Sequence, residues 1–258
     1  MATPVVAGTQ QYLVDTLHQV GWIIPPYVGV QRINHIAATI DRSIAFGPTE
    51  LERILGALYS PDMLASMVVN RYPETPVIEE FQKIIAESVE GHFLKLDHIS
   101  ASGLVPVIEG ITRRLADKNG VLVKKFTGPS GTIEALIAHC KQHVITKQIG
   151  AVGECLSMLE SFEMFLSKVL FADTNKQHQF SDGTNRHGMV HAVFADNDFG
   201  SPLNFYKVIT AANMLTWISA VYYGGSGFVP NETPQSIEHA RYYRLLSNIA
   251  SQEKPNPV

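Results

Sequence analysis

The recurrence of apolar residues every three or four positions constrains the fold of this chain more than any other feature. This spacing runs through most of the sequence, whereas long runs of strict apolar and polar alternation are scarce. A period near 3.6 residues places apolar side chains along one face of an α-helix, while a period of two indicates a β-strand. The sequence therefore predicts an all-α protein, with helices over residues 8–21, 31–45, 48–58, 61–70, 76–94, 96–118, 131–146, 152–172, 185–194, 202–223 and 234–250.

Prolines mark several of the predicted helix boundaries. Proline lacks an amide N–H and has a fixed φ, so it favours the first turn of a helix or the residues beyond its end. The boundaries at which a proline stands include Pro26, Pro48, Pro61 and Pro73. These breaks keep the helices of the first third short, and longer amphipathic helices follow. The pattern predicts an amino-terminal helical module over residues 1–74, a helical bundle over residues 75–251 and a disordered tail over residues 252–258.

The composition fits a folded chain without a general attraction for nucleic acid. Apolar residues make up 45% of the 258 residues and charged residues 17%, which allows a sizeable core and excludes a disordered polyelectrolyte. The formal net charge is −4, so any RNA binding would need a local basic surface. The densest basic stretch contains Arg113, Arg114, Lys118, Lys124 and Lys125. Such a stretch is also typical of a solvated helix end, whose cations complement the helix dipole.

Cysteine content and the amino terminus indicate a cytoplasmic protein. Only two cysteines occur, Cys140 and Cys155, and the first residues lack the charged and apolar regions of a signal peptide. The apolar segment from Val208 to Tyr223 superficially resembles a membrane span. Because polar residues such as Asn213 interrupt it and glycines follow it, the segment predicts a buried core helix, and no membrane association is expected.

The segment from Asn185 to His191 holds a dense group of chemically active side chains, with Asn, Arg and two His. Asn185, or the threonine before it, can cap a helix, so Arg186 and His187 would lie in the first turn, where free N–H groups favour a phosphate. His187 and His191 are four residues apart and share a helix face, and the long Arg186 side chain can bridge to His191. Gly188 leaves room beside the histidines for a neighbouring helix or a substrate.

The same motif resembles that of the HEPN superfamily, whose members are helical bundles and often metal-independent ribonucleases. In that superfamily an arginine is followed by a histidine after four to six intervening residues, and here the spacing is Arg186-x4-His191. The helix over residues 96–111, and the segment Asp198–Ser201 that leads into a long apolar helix, also resemble parts of uncharacterised bacterial HEPN-like proteins. Those proteins have a glycine where this chain has Ala192.

The resemblance implies a homodimeric endoribonuclease that uses no metal and no cofactor and acts in defence or stress response. Arg186 and His191 would be catalytic, and His187 would assist. A histidine can take the proton of an RNA 2′-hydroxyl, and an arginine can stabilise the negative charge that develops on the phosphate. DNA lacks the 2′-hydroxyl and would not be a substrate. The motif helices of two subunits would face one another across a twofold cleft.

Four further residues are expected to support this site. Asn185 would position the phosphate, and Glu109 would hold Arg186. Arg113 and Arg114 belong to the basic stretch and would contact the RNA backbone.

Two other interpretations of the motif stay open. In the first, it belongs to a non-catalytic dimerisation or ligand-binding module, in which Arg186 pairs with a carboxylate such as Glu109 and the histidines are satisfied within the fold. In the second, His187 and His191 bind zinc, although the sequence offers no convincing third ligand. The nuclease differs in geometry, because catalysis requires Arg186 and His191 to line one cleft that solvent can reach.

Overall fold

The structure, a computed structural model, describes residues 8–123, 128–174 and 180–252, and every regular element in these ranges is helical. The predicted all-α fold is therefore confirmed. The α-helices are α1 Gln10–Gln19, α2 Val30–Arg42, α3 Pro48–Leu58, α4 Pro61–Ser66, α5 Gln82–Phe93, α6 Asp97–Lys118, α7 Pro129–Lys147, α8 Val152–Phe165, α9 Arg186–Val190, α10 Pro202–Tyr223 and α11 Pro234–Ser251.

Two of the α-helices continue directly into a π-helical turn. The π-helix Met67–Arg71 follows α4, and the π-helix Leu166–Leu170 follows α8. The 3₁₀-helices Tyr72–Glu74 and Ile78–Phe81 then connect the first of these stretches to α5. Predicted helices cover Ile78–Phe81 and nearly all of both π-helical turns, but none covers Tyr72–Glu74. The apolar pattern does not distinguish one helical hydrogen-bond pattern from another.

Local sequence explains where several helices begin and end. Helices α4, α10 and α11 each start with a proline that follows a serine or threonine. The hydroxyls of Ser60 and Thr233 accept hydrogen bonds from backbone amides in the first turns of α4 and α11, which satisfies donors that have no partner within the helix. Helix α10 ends at Gly224, whose φ of +85° is a left-handed conformation that glycine adopts without steric cost.

Helix α10 lies at the centre of the fold. Every residue from Leu203 to Ala220 is buried, and the helix packs against α3, α6 and α7. A helix that is apolar on all sides is stable in water only when other elements cover it. The predicted buried core helix is thus confirmed. Within the described parts of the chain, no helix combines the length and apolar character that crossing a bilayer requires.

Helices on both sides of residue 74 share one hydrophobic core. Helix α1 packs against α8, α3 against α10, and α4 against α11. The buried side chains of these helices belong to one cluster, which includes Leu17, Leu55, Leu64, Phe162 and Tyr243. The two predicted parts of the chain therefore share an interior, and their division at residue 74 stays a prediction. Of the predicted disordered tail, only Gln252 lies within the described residues.

Candidate functional site

The motif residues lie on α9, a surface helix that is shorter than predicted. It covers only Arg186–Val190, because Ala192 has a left-handed φ of +52° and the amide of Phe194 turns back to donate to the carbonyl of Gly188 at 3.2 Å. The predicted continuation to residue 194 is wrong. Five residues provide little helix dipole, so the phosphate site expected from the helix N-terminus lacks its physical basis.

Gly188 is required by the turn that follows α9. A Cβ atom built on this glycine would lie 2.2 Å from the Phe194 ring, which closes over the helix at this point. The sequence predicts instead that the missing side chain leaves room for a substrate or another helix. The structure corrects that interpretation, since Phe194 fills the space.

Asn185 anchors α9 to the body of the protein. Its side chain is fully buried, and Nδ2 donates to the carbonyls of Val169 at 3.1 Å and Ala172 at 2.9 Å. Its Oδ1 accepts the amide of Gly188 at 3.0 Å, which caps the helix. With these bonds made inside the fold, Asn185 does not lie where it could contact a phosphate. Its position in the structure is that of a residue that orients Arg186.

The start of α10 holds the segment that precedes α9. Asn204 Nδ2 donates to the Asp182 carbonyl at 2.6 Å and to Thr184 Oγ1 at 2.9 Å. The Lys207 ammonium forms an ion pair with the Asp182 carboxylate, and the two side chains are only 1% and 4% exposed. Burial lowers the pKa of Lys207, and the charge of Asp182 opposes that change. The backbone beneath the motif is therefore tied to the central helix.

Arg186 contacts two other predicted site residues, Glu109 and His191. Its Nε lies 2.6 Å from Glu109 Oε1 on α6, and its Nη1 lies 2.7 Å from His191 Nε2. The side chains of Arg186 and Glu109 are 22% and 15% exposed. Because a guanidinium group only donates, His191 accepts this hydrogen bond through an unprotonated Nε2. The structure thus brings Arg186, Glu109 and His191 together.

His187 lies beside this cluster and faces solvent. Its ring centroid is 4.9 Å from that of His191, and both residues are exposed. Its imidazole makes no side-chain hydrogen bond to any described residue. Among the described residues, no further His, Cys, Asp or Glu joins these two imidazoles in a three-ligand group, and zinc sites usually have at least three protein ligands.

An open cavity of about 300 Å³ adjoins the cluster and is lined by both Arg186 and His187. The other lining residues come from the start of α7 and from the chain after α8, and they are Gly128, Pro129, Ser130, Phe171, Ala172, Asp173 and Thr174. None of these residues was predicted from the sequence to belong to the site. The aromatic Phe171 at the end of a predicted helix is the one signal that could have indicated them.

The two arginines of the basic stretch have different surroundings. Arg113 is exposed and lies one helical turn after Glu109, on the same face of α6. Arg114 is paired with Glu80 at 3.0 Å, and its guanidinium lies 4.5 Å from the centroid of the Phe81 ring. Arg113 is therefore the arginine on the side of α6 that carries the site. Lys124 and Lys125 lie outside the described residues.

The fold and the site together define an all-helical protein with an arginine, a glutamate and two histidines beside a surface cavity. No protein-family model matches the chain, and neither the curated proteins nor the solved structures include a match to it. The resemblance to the HEPN superfamily therefore stays a prediction. Any function must be argued from the geometry of the site.

Proposed function

We propose that the protein is a metal-independent endoribonuclease of the HEPN type, in which Arg186 and His191 are the catalytic residues. The observation that supports this most directly is their contact, with 2.7 Å between Arg186 Nη1 and His191 Nε2, beside the open cavity that Arg186 lines. The pair combines a permanent cation with a group that can accept a proton. These are the two chemical functions that cleavage of an RNA phosphodiester requires.

In the proposed reaction, the scissile phosphate binds Arg186 and accepts the hydrogen bond that Arg186 Nη1 otherwise donates to His191. His191 Nε2 then accepts the proton of the adjacent 2′-hydroxyl. A bond forms between the 2′ oxygen and phosphorus while the bond from phosphorus to the 5′ oxygen breaks. His187, in its protonated form, supplies the proton to the departing 5′ oxygen. The products are a 2′,3′-cyclic phosphate and a 5′-hydroxyl end.

Glu109 sets the orientation of the guanidinium in this proposal. It holds Arg186 through Nε at 2.6 Å, and this leaves the Nη groups to face His191 and an incoming phosphate. A carboxylate partner on the rigid helix α6 restricts the rotamers of a long side chain. Less conformational entropy is then lost when the phosphate binds.

The cavity beside Arg186 supports a nucleic-acid substrate. Phe171 can provide a face for stacking of a base, and Asp173 and Thr174 provide polar groups at the same wall. Arg113 lies exposed on the same face of α6 as Glu109, where it can contact a neighbouring phosphate.

Homodimerisation, a cytoplasmic setting and a role in defence or stress response complete the proposal. Val190 and Val193 lie on either side of His191 in the sequence and are 44% and 53% exposed, so the candidate site has exposed apolar side chains next to it. A twofold axis close to α9 would cover these side chains and place two sites side by side.

A non-catalytic module is the second candidate, and one observation favours it. Arg186 already has two partners, Glu109 and His191, without any ligand. In such a module this network would stabilise α9 or hold a nucleotide without cleaving it.

RNA cleavage with and without His191 separates the two candidates. A labelled pool of single-stranded RNAs is incubated in EDTA with the wild type, with His191→Ala and with His35→Ala, whose histidine is exposed on α2 and serves as a matched control. Loss of the proton acceptor should slow cleavage about 100-fold or more, and the control should match the wild type.

The chemistry of the product ends and the sugar of the substrate further distinguish the proposed nuclease from the other interpretations. Cyclic phosphate ends are expected, and a 2′-deoxy substitution at the cleavage site should abolish the reaction. A well-folded wild type that cleaves none of several RNAs would favour the module. Activity that appears only with added metal would favour the zinc interpretation of His187 and His191.

A further inference from the structure

A second cavity, remote in sequence from the motif, lies where the chain before α2 meets α8 and the end of α10. Its volume is about 300 Å³. Most of its wall is apolar, and the lining residues are Gln10, Leu13, Ile24, Pro25, Pro26, Tyr27, Val28, Gly29, Val30, Ile33, Glu154, Met158, Trp217, Gly227 and Phe228. The proposed nuclease reaction uses none of them.

The rim of this cavity is held in place by Arg71, which comes from the first π-helical turn. Arg71 Nη2 donates to the Phe228 carbonyl at 2.8 Å, and its guanidinium carbon lies 5.5 Å from the centroid of the Tyr27 ring. The backbone of Phe228 is thereby held at the rim, and its side chain is 81% exposed. Tyr27 has a left-handed φ of +65°, which is costly for an aromatic residue. A strained backbone and a tethered, exposed aromatic are features typical of ligand sites.

Several polar groups of the wall have no hydrogen-bond or ion-pair partner among the described residues, and one of them is the buried hydroxyl of Tyr27. The indole N–H of Trp217 has no acceptor, and its nitrogen lies 3.8 Å from the position that a Cβ on Gly227 would take. The Glu154 carboxylate forms no ion pair, and it is the one charged group that lines the cavity. The apolar wall thus carries an indole N–H and a tyrosine hydroxyl without partners, together with one negative charge, that of the exposed Glu154.

We propose that this cavity binds a small organic cation that also carries a hydroxyl group. The faces of aromatic rings attract cations, and Trp217 and Phe228 supply aromatic surface next to the carboxylate of Glu154. The hydroxyl would accept the indole N–H, which satisfies the free donor of Trp217. An uncharged apolar molecule would gain nothing from the charge of Glu154 and would give the indole N–H no acceptor.

Choline is a suitable probe, because its uncharged carbon isostere, dimethylbutanol, has nearly the same shape. Binding is measured by saturation-transfer NMR and by tryptophan fluorescence. The second tryptophan, Trp22, is 1% exposed and bonded to Thr210, so the fluorescence change reports on Trp217. Choline should bind saturably and more tightly than dimethylbutanol.

Variants test which groups recognise the charge. Glu154→Gln and Phe228→Ala should each weaken choline binding about threefold to tenfold. Glu160→Gln serves as the matched control, because Glu160 is exposed on the same helix α8 and does not line the cavity. Its choline affinity should equal that of the wild type. The thermal midpoint of each variant confirms that it folds.

Two outcomes would overturn the proposal. One is the absence of saturable choline binding to the folded wild type. The other is equal affinity for choline and dimethylbutanol with no effect of Glu154→Gln, which would show that charge plays no part. Both readouts measure binding alone, so they do not depend on whether the protein cleaves RNA.

Discussion

Asp182→Asn should strongly destabilise the protein, because it leaves the Lys207 ammonium buried without its counter-charge. Lys207 is only 1% exposed, so water cannot replace the lost carboxylate. Removal of one partner from a buried ion pair costs about 3–5 kcal/mol of unfolding free energy. For a chain of this size, such a loss corresponds to a fall of about 6–20 °C in the thermal midpoint. The replacement keeps an acceptor at Oδ1 for the Thr184 amide, so the loss reports mainly on charge.

Urea unfolding followed by circular dichroism measures this loss, and a second variant isolates its cause. In Asp182→Asn with Lys207→Met both charges are absent, and most of the lost unfolding free energy should return. Lys83→Met is the surface control, because the Lys83 side chain is 87% exposed. Its unfolding free energy should stay within about 0.5 kcal/mol of the wild type.

The pH dependence provides an independent check of the same reasoning. Burial lowers the pKa of Lys207 below its ordinary value of 10.5, so the unfolded chain binds more protons than the folded one as pH approaches that value. The unfolding free energy of Asp182→Asn should therefore rise between pH 7 and about 10 relative to the double variant. If Asp182→Asn lost less than about 1 kcal/mol of unfolding free energy at pH 7 and showed no such rise, the unpaired charge of Lys207 would not be the cause of destabilisation.

Three further predictions concern the turn after α9 and the buried tyrosines. Gly188→Ala should lower the unfolding free energy by about 1–3 kcal/mol, because its Cβ would meet the Phe194 ring, and the loss should largely vanish in a Phe194→Ala background in urea titrations. Ala192→Gly should raise the unfolding free energy by about 0.5–1 kcal/mol in the same assay, since it relieves a left-handed φ. Burial raises the pKa of Tyr206 to about 12 and that of other buried tyrosines as well. Their contribution to stability should therefore be constant below the ordinary tyrosine pKa of 10.0 and be lost above it, together with the appearance of phenolate absorbance.

The sequence predicts the central helix well because its signals are local and agree with one another. Helix α10 is predicted over residues 202–223 and observed as Pro202–Tyr223. A serine–proline start, a predominantly apolar segment and a terminal Gly224 each indicate the same boundaries. Lys207 is the one charged residue of this helix, and its buried ion pair was not predicted. Its partner could not be identified, because Asp182 lies 25 positions earlier and reaches Lys207 only through the folded loop.

The end of α9 shows where local reasoning fails. No helix-breaking residue follows His191 until well beyond the observed end, so residues 185–194 read as one helix. The chain turns at Ala192 because the Phe194 ring packs against Gly188, a contact that depends on the three-dimensional path of the backbone. Glu109 was named from the sequence as a partner for Arg186, and the structure places Arg186 Nε 2.6 Å from Glu109 Oε1.

The site combines a rigid backbone with exposed side chains, and this combination limits how a substrate could bind. Asn185 ties α9 to the carbonyls of Val169 and Ala172, so the backbone beneath Arg186 has little freedom to move. The contact between Arg186 and His191 is the only part of the network that joins two side chains at the exposed surface. In the proposed reaction, a phosphate would therefore replace that contact rather than displace the helix. The same exchange would free the imidazole nitrogen, which links binding of the anion to activation of the base.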